Sequence, residues 1–204
     1  MATISARDVL LLLIGLGDPA GREGLGGITR IQKLIYLLEL EEHVRPTGNG
    51  FEFEPYKAGP YSPRIYDDLE FLENLDYIRR LAVDDDDEAG AAAEASDPEK
   101  AEVDLTFDQL MGPEDVLASK SDEIAPTADS YRESRFCLTE KGKRRMEELL
   151  ANEDYRPFIE SIRKVKSHFS NYSLSDLLYY VYTRHPEMTT ESEIKEKVLR
   201  RRPA

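Results

Sequence analysis

The chain of 204 residues contains a single cysteine, Cys137, and only three histidines. One cysteine excludes an intramolecular disulfide and is typical of a reducing compartment. The histidines form no closely spaced ligand pair with Cys137, as a zinc site requires; they are His43, His168 and His185. Because Cys137 stands in the apolar run 136–138, we expect it to be a core residue. The sequence therefore predicts no metal and no cofactor.

Long apolar runs are also lacking. No stretch approaches the roughly 18 residues that a membrane helix needs, so no membrane-spanning segment is predicted. The first apolar stretch, residues 9–16, follows Arg7 and Asp8 without a small-residue cleavage site after it. This pattern favours a buried helix over a signal peptide. Together with the single cysteine, it leads us to expect a cytoplasmic protein.

Positive charge is scarce, since 27 lysines and arginines face 41 aspartates and glutamates, and the net charge is -14. This balance excludes binding of nucleic acid through bulk positive charge. Residues 82–125 hold fifteen acidic and two basic residues, so the remainder is nearly neutral, which argues against a general adaptation to a salt-rich cytoplasm. Such a stretch buries too little apolar surface to become ordered. We predict one domain, residues 1–81 and 127–204, interrupted by an acidic, largely flexible insertion at 82–126.

Apolar periodicity and capping residues predict helices near residues 5–16, 30–42, 63–75, 140–150, 157–169, 174–184 and 192–199. Ser5, Thr29, Ser62, Thr139 and Ser173 are the predicted N-caps. Alternation at 51–54 predicts a strand, and 77–81 should pair with 135–138 as a ribbon. Three helices followed by a ribbon is the order of a winged-helix unit. The predicted fold is mainly α with a small β-ribbon: a winged-helix-like core plus C-terminal helices.

Four sequence motifs follow one another in an order found in one group of proteins. They are IQKLIYLL at 31–38, YKAGPYS at 56–62, FCLTEKG at 136–142 and LLYYVYTRHPE at 177–187. On these motifs the chain resembles the YwgA-like proteins. More distantly it resembles the SocA-type, or Panacea, antitoxin domains and the toxin-neutralising half of the macrodomain antitoxins that counter DNA-ADP-ribosylating toxins. The resemblance implies an antitoxin, adaptor or regulator that binds proteins, and it supplies no catalytic residue.

The acidic third helix and the acidic insertion predict a partner of opposite charge. Negative surfaces can steer onto a basic toxin or a nucleic-acid-acting protein and block its site. The 59–61 turn is either a rigid connector with Tyr61 as a lid on the core or a partner-binding edge with tyrosine anchors. We thus expect a non-enzymatic protein-binding module, as a monomer or a homodimer. Its predicted partner-binding residues are Tyr56, Tyr61, Tyr66, Asp67, Asp68, Glu70, Asp84, Asp85, Asp86 and Asp87.

The alternative function is that of a winged-helix transcriptional regulator. It rests on the element order and on basic residues after the ribbon that would contact DNA phosphates; these are Lys141, Lys143, Arg144 and Arg145. The third helix, which occupies the recognition position, is strongly acidic and would repel a phosphate backbone. Its acidic residues are Asp67, Asp68, Glu70, Glu73 and Asp76, against only Arg64.

Overall fold

The computed structural model describes residues 3–17, 24–82 and 134–200. The helices are α1 (Ala6–Gly15), α2 (Ile28–Leu40), α3 (Pro63–Asn74), α4 (Glu140–Ala151), α5 (Arg156–Phe169), α6 (Leu174–Arg184) and α7 (Lys195–Arg200). The strands are β1 (Leu25–Gly26), β2 (Glu54–Tyr56), β3 (Gly59–Tyr61), β4 (Ile78–Ala82) and β5 (Ser134–Leu138). Short 3-10 helices lie at Glu153–Tyr155 and Pro186–Thr189.

Three of the predicted N-caps are confirmed by their hydrogen bonds. The side-chain oxygen of each accepts the backbone N–H three residues later, at 3.0 Å for Ser5, 3.1 Å for Thr139 and 3.1 Å for Ser173. The predicted start of α2 is wrong, because the helix begins at Ile28 and its N-cap is Gly27, with a φ of 73°. A positive φ suits glycine, so the chain turns into the helix two residues earlier than the threonine signal indicates.

The predicted ribbon is confirmed. Strands β4 and β5 pair antiparallel with Ile78 opposite Leu138, and β1 pairs with the other edge of β5, giving the order β1-β5-β4. Strand β1 lies between the first two predicted helices, where the sequence predicts no strand. Its two residues are too few to show an alternating pattern, so β1 depends on its partner strand rather than on its own residues.

The predicted strand at 51–54 is misplaced. The strand begins at Glu54 and pairs with Gly59–Tyr61, which the sequence predicts to be a turn. In this hairpin Pro55 lies opposite Pro60. Neither proline can donate a backbone hydrogen bond, so the hairpin depends on contacts with the rest of the protein.

The centre of the core is α1, which is buried on every side from Val9 to Ile14. It contacts α3, α4, α5 and β5, and therefore carries apolar residues all round rather than on one face. At its carboxyl end the buried Lys166 side chain of α5 donates to the Leu13 carbonyl at 2.8 Å and also to the Leu16 carbonyl. An ammonium group at a helix carboxyl end satisfies carbonyls that lack an intrahelical partner.

The fold class is the predicted one. The chain is mainly helical with small antiparallel sheets. Helices α1 to α3 precede the β4–β5 ribbon as in a winged-helix unit, with the β2–β3 hairpin between α2 and α3 and helices α4 to α7 after the ribbon. In the described part of the chain, no helix has the length and apolar character needed to cross a bilayer. The division into a domain and an acidic insertion stays a prediction, since nearly all of the insertion lies outside the described residues.

Candidate functional site

Three of the predicted partner-binding residues form one aromatic cluster. Tyr56 and Tyr61 extend from the two strands of the β2–β3 hairpin, and Tyr66 lies in the first turns of α3. The ring centroids of Tyr56 and Tyr61 are 4.8 Å apart, and those of Tyr61 and Tyr66 are 5.9 Å apart. All three side chains are partly exposed. We call these three residues the tyrosine cluster.

The hairpin is fixed to α2 by two neighbouring polar side chains of that helix. The Lys33 ammonium group donates to the Pro60 carbonyl at 2.8 Å, and the Gln32 carbonyl oxygen accepts the Ser62 backbone N–H at 2.9 Å. Ser62 occupies the predicted N-cap position of α3, but its hydroxyl donates to the Phe51 carbonyl instead of capping the helix. The motifs IQKLIYLL and YKAGPYS are thus in direct contact, because side chains of α2 hold the hairpin.

Gly59 lets the hairpin pack closely against the C-terminal helices. Its φ is +83°, and a Cβ atom there would lie 2.8 Å from the Tyr182 ring. The Tyr182 hydroxyl is 2.8 Å from the Ser192 hydroxyl, and the Glu193 backbone N–H donates to the Lys57 carbonyl at 2.9 Å. The tyrosine cluster is therefore carried by a hairpin that is held on two sides.

A recess opens beneath the tyrosine cluster. Its empty volume is about 240 Å³, which includes the part that is open to solvent. The enclosed part has room for about one water-sized molecule. The recess is lined by Thr29, Gln32, Lys33, Tyr56, Ala58, Gly59, Tyr61 and Tyr66. Lys33 is only 3% exposed, and this burial lowers its pKa from 10.5 to about 7.

Lys33 is the residue of the site that sequence reasoning missed, since the apolar periodicity of α2 places it off the buried face. Nearly the whole of α2 is buried instead, from Ile28 to Leu38. The signal that could have identified it is a lysine in the middle of the helix, directly before the apolar residues 34–38. A charge in such a place needs a polar partner from another element, here the Pro60 carbonyl.

The acidic residues of α3 divide into exposed and buried ones. Asp67 and Glu70 are exposed next to Tyr66 in the helix. Asp68, which the sequence assigns to the partner-binding surface, is 4% exposed and does not lie on that surface. Its carboxylate accepts a hydrogen bond from Arg7 at 2.7 Å and lies 3.7 Å from the Arg64 guanidinium group. Asp68 therefore joins α3 to α1.

The basic residues of the alternative function are largely engaged within the chain. Lys141 donates to the Leu75 carbonyl at 2.7 Å, and Lys143 is 2.9 Å from Glu140. Arg145 lies 3.1 Å from Asp8 and 3.1 Å from Glu148. Arg144 is exposed on α4. Lys141 and Arg145 thus connect α4 to other parts of the fold, and Lys143 forms an exposed ion pair within the helix.

The remaining predicted residues, Asp84, Asp85, Asp86 and Asp87, lie outside the described residues. Cys137 is 5% exposed in β5, so its prediction as a core residue is confirmed. Within the ranges that the structure describes, no group of three or more His, Cys, Asp or Glu side chains is placed to hold a metal ion.

A second polar cluster joins the C-terminal end of α2 to that of α6. His185 Nε2 lies 3.3 Å from a Glu41 carboxylate oxygen, and the Tyr180 hydroxyl donates to the same carboxylate at 3.2 Å. The Tyr36 ring meets the His185 ring edge to face at 5.2 Å. Burial, and then the negative charges of Glu187 and Glu41, raise the pKa of Tyr36. The TRHPE motif thus contributes a helix end that is fixed to α2.

Comparison of the chain with models of known protein families gives no match, and comparison with curated protein sequences gives none either. The resemblance to the YwgA-like proteins consequently stays a prediction from the four motifs.

Proposed function

We propose that the chain is a non-enzymatic protein-binding module of antitoxin or adaptor type, acting in a prokaryotic conflict or regulatory system in the cytoplasm. The observation that carries this proposal is the tyrosine cluster, whose Tyr66 shares α3 with the exposed Asp67 and Glu70. Tyrosines are typical anchors of protein interfaces, and carboxylates around them attract a basic partner. The resemblance to the YwgA-like proteins and to macrodomain antitoxins agrees with this role.

The module would act by occupying its partner rather than by turning over a substrate. The hairpin is already fixed by Lys33, Gln32 and Tyr182, so little conformational entropy is lost when the tyrosine cluster is covered. The carboxylates would speed the encounter with a basic toxin or a nucleic-acid-acting protein. Such a partner would then be blocked at the surface with which it normally contacts nucleic acid.

The DNA-binding alternative has less support. Lys141, Lys143 and Arg145 already bind groups of the chain itself, so contacts with DNA phosphates would compete with these interactions. Asp67 and Glu70 are exposed on α3, the helix that would enter the major groove, and they would repel the phosphate backbone.

The first test identifies the partner by its contact with the tyrosine cluster. A photo-crosslinking amino acid at position 61, in cells of the source organism, is expected to capture a basic protein. The matched control is position 147, where Glu147 is exposed on α4.

With the purified partner, the Tyr61→Ala variant should have a Kd about tenfold higher than the wild type. The double variant Asp67→Asn/Glu70→Gln should associate about tenfold more slowly at low salt. Mass spectrometry and stopped-flow kinetics measure these outcomes.

Two results would contradict the proposal. One is equal capture from positions 61 and 147. The other is an association rate of the Asp67→Asn/Glu70→Gln variant that equals the wild-type rate at low salt. A Glu147→Gln variant serves as the charge control, since it also alters an exposed carboxylate but lies on α4, away from the tyrosine cluster.

The acidic insertion is tested by its removal. Deleting residues 84–125 removes fifteen acidic and two basic residues. We expect the shortened chain to associate with the same partner about tenfold more slowly at low salt, with a weaker dependence on salt concentration. Unchanged kinetics would exclude the insertion from the mechanism and leave the tyrosine cluster as the binding surface.

A further inference from the structure

Lys33 lies in an unusual place for a charged side chain. It is 3% exposed, it lines the recess beneath the tyrosine cluster, and its amino group donates to the Pro60 carbonyl. Within the described ranges no carboxylate forms an ion pair with it. A desolvated ammonium group without an opposite charge is costly, so the neutral amine is favoured here.

The chain has a second buried lysine with the opposite surroundings. Lys166 is 6% exposed, but its amino group donates to the carbonyls of Leu13 and Leu16 at the end of α1. Carbonyls at a helix carboxyl end favour a positive charge. Lys166 is not among the residues that line the recess. The two lysines are therefore buried to a similar extent. The surroundings of Lys33 favour a neutral amine that lines the recess, whereas those of Lys166 favour a positive charge, and Lys166 does not line the recess.

We propose that the Lys33 amine is a covalent binding site for a small aldehyde. The amine donates one N–H to Pro60, which leaves its lone pair for attack on a carbonyl carbon. The nitrogen forms a double bond to the carbonyl carbon, both bonds between that carbon and its oxygen break, and the oxygen leaves as water with the two amine protons, so no oxidant or reductant is needed. The neutral imine carries no N–H, and uptake of one proton from solvent restores an N–H that can donate to the Pro60 carbonyl.

The shape of the recess restricts the aldehyde. The inner part holds about one water-sized molecule, so the carbonyl group must be unhindered. Tyr56, Tyr61 and Tyr66, the titratable side chains that line the recess together with Lys33, are partly exposed. Their rings would stack on a flat apolar substituent of the aldehyde. This site stands independently of the proposed partner, since it requires only the chain itself.

The test is reductive methylation of the folded wild-type chain with formaldehyde and cyanoborohydride from pH 6 to pH 9. Peptide mass spectrometry measures the rate at each lysine. At pH 7 about half of the Lys33 amine is neutral, against about one part in three thousand for an ordinary lysine. We expect Lys33 to react at least about tenfold faster than Lys166 and its rate to level off above about pH 8. The exposed Lys143 should keep accelerating about tenfold per pH unit.

Three outcomes would overturn the proposal: no methylation of Lys33, equal rates at Lys33 and Lys166, or a Lys33 rate that rises with pH as that of Lys143 does. Equal rates would indicate general opening of the fold, because both side chains are buried. None of these outcomes depends on a protein partner. Failure here and failure of the proposed function are consequently distinguishable.

Discussion

Replacement of Gly142 by alanine is expected to lower the free energy of unfolding by about 3 kcal/mol. A Cβ atom at this position would lie 2.0 Å from the Tyr77 carbonyl oxygen and 3.0 Å from its carbonyl carbon. The obstacle is backbone, which cannot rotate away as a flexible side chain would. The Thr139 backbone N–H donates to the same Tyr77 oxygen at 3.1 Å, which fixes it further. Urea unfolding followed by circular dichroism measures the loss.

The expected loss of stability is opposite in sign to the gain that helix propensity alone predicts for Gly142→Ala. Gly142 lies in the first turn of α4, and alanine in a helix is ordinarily more stable than glycine by up to about 1 kcal/mol. Gly26→Ala is the matched control, because a Cβ atom at Gly26 has no neighbour within 4 Å. A Gly142→Ala variant as stable as the wild type would show that α4 can move away from Tyr77 at no cost. The FCLTEKG motif would then need another explanation.

The parts of the fold that were predictable from the sequence depend on short-range signals. Ser5, Thr139 and Ser173 cap helices because a hydroxyl three residues before a backbone N–H can satisfy it without help from elsewhere. These caps are contained within a few residues, so neighbouring sequence is sufficient to read them. The ribbon was predicted differently, from two short runs and from their place in the order of elements, because its strands are far apart in the chain.

The parts that were not predictable depend on residues far apart in the chain. The 59–61 segment reads as a turn because glycine and proline stand together, yet it forms a strand because Lys33 and Gln32 hold it. Asp68 resembles its exposed neighbours on α3, and only the arrival of Arg7 from α1 makes its burial possible. Propensity and charge pattern carry no information about such partners.

The candidate site shows the same division. The sequence suggested Tyr56, Tyr61 and Tyr66 by type, and the hairpin and α3 bring their rings together. It gave no sign of the recess beneath them, because a recess is defined by elements that meet only in the fold. Lys33 is accordingly the residue for which sequence pattern and structure differ most. The pattern places it off the apolar face of α2, whereas in the structure it is buried and holds the hairpin through Pro60.

Replacement of Lys33 by methionine is expected to change how stability depends on pH. Burial lowers the pKa of Lys33 in the folded chain to about 7 from the ordinary 10.5. Between these two values the unfolded chain holds the proton that the folded chain has released. The contribution of Lys33 to the free energy of unfolding of the wild type therefore increases as pH rises from 7 to 10.5, and it does not change below pH 7. Methionine has no proton to exchange, so a Lys33→Met variant lacks this gain.

The difference between Lys33→Met and wild type isolates the effect, because the other titrating groups cancel. At pH 7 the methionine variant should be the more stable, since it removes a penalty of about 4 kcal/mol and loses only the bond to Pro60, worth about 1–3 kcal/mol. Its advantage should shrink by about 2 kcal/mol by pH 9. Urea unfolding at pH 7 and pH 9 measures the difference in the free energy of unfolding at each pH.

The control is Lys166→Met, which should be less stable than wild type at both pH values, because the carbonyls of Leu13 and Leu16 lose their donor. An advantage for Lys33→Met that stays constant from pH 7 to pH 9 would mean that Lys33 keeps its proton when buried, and the amine would then be no nucleophile at neutral pH.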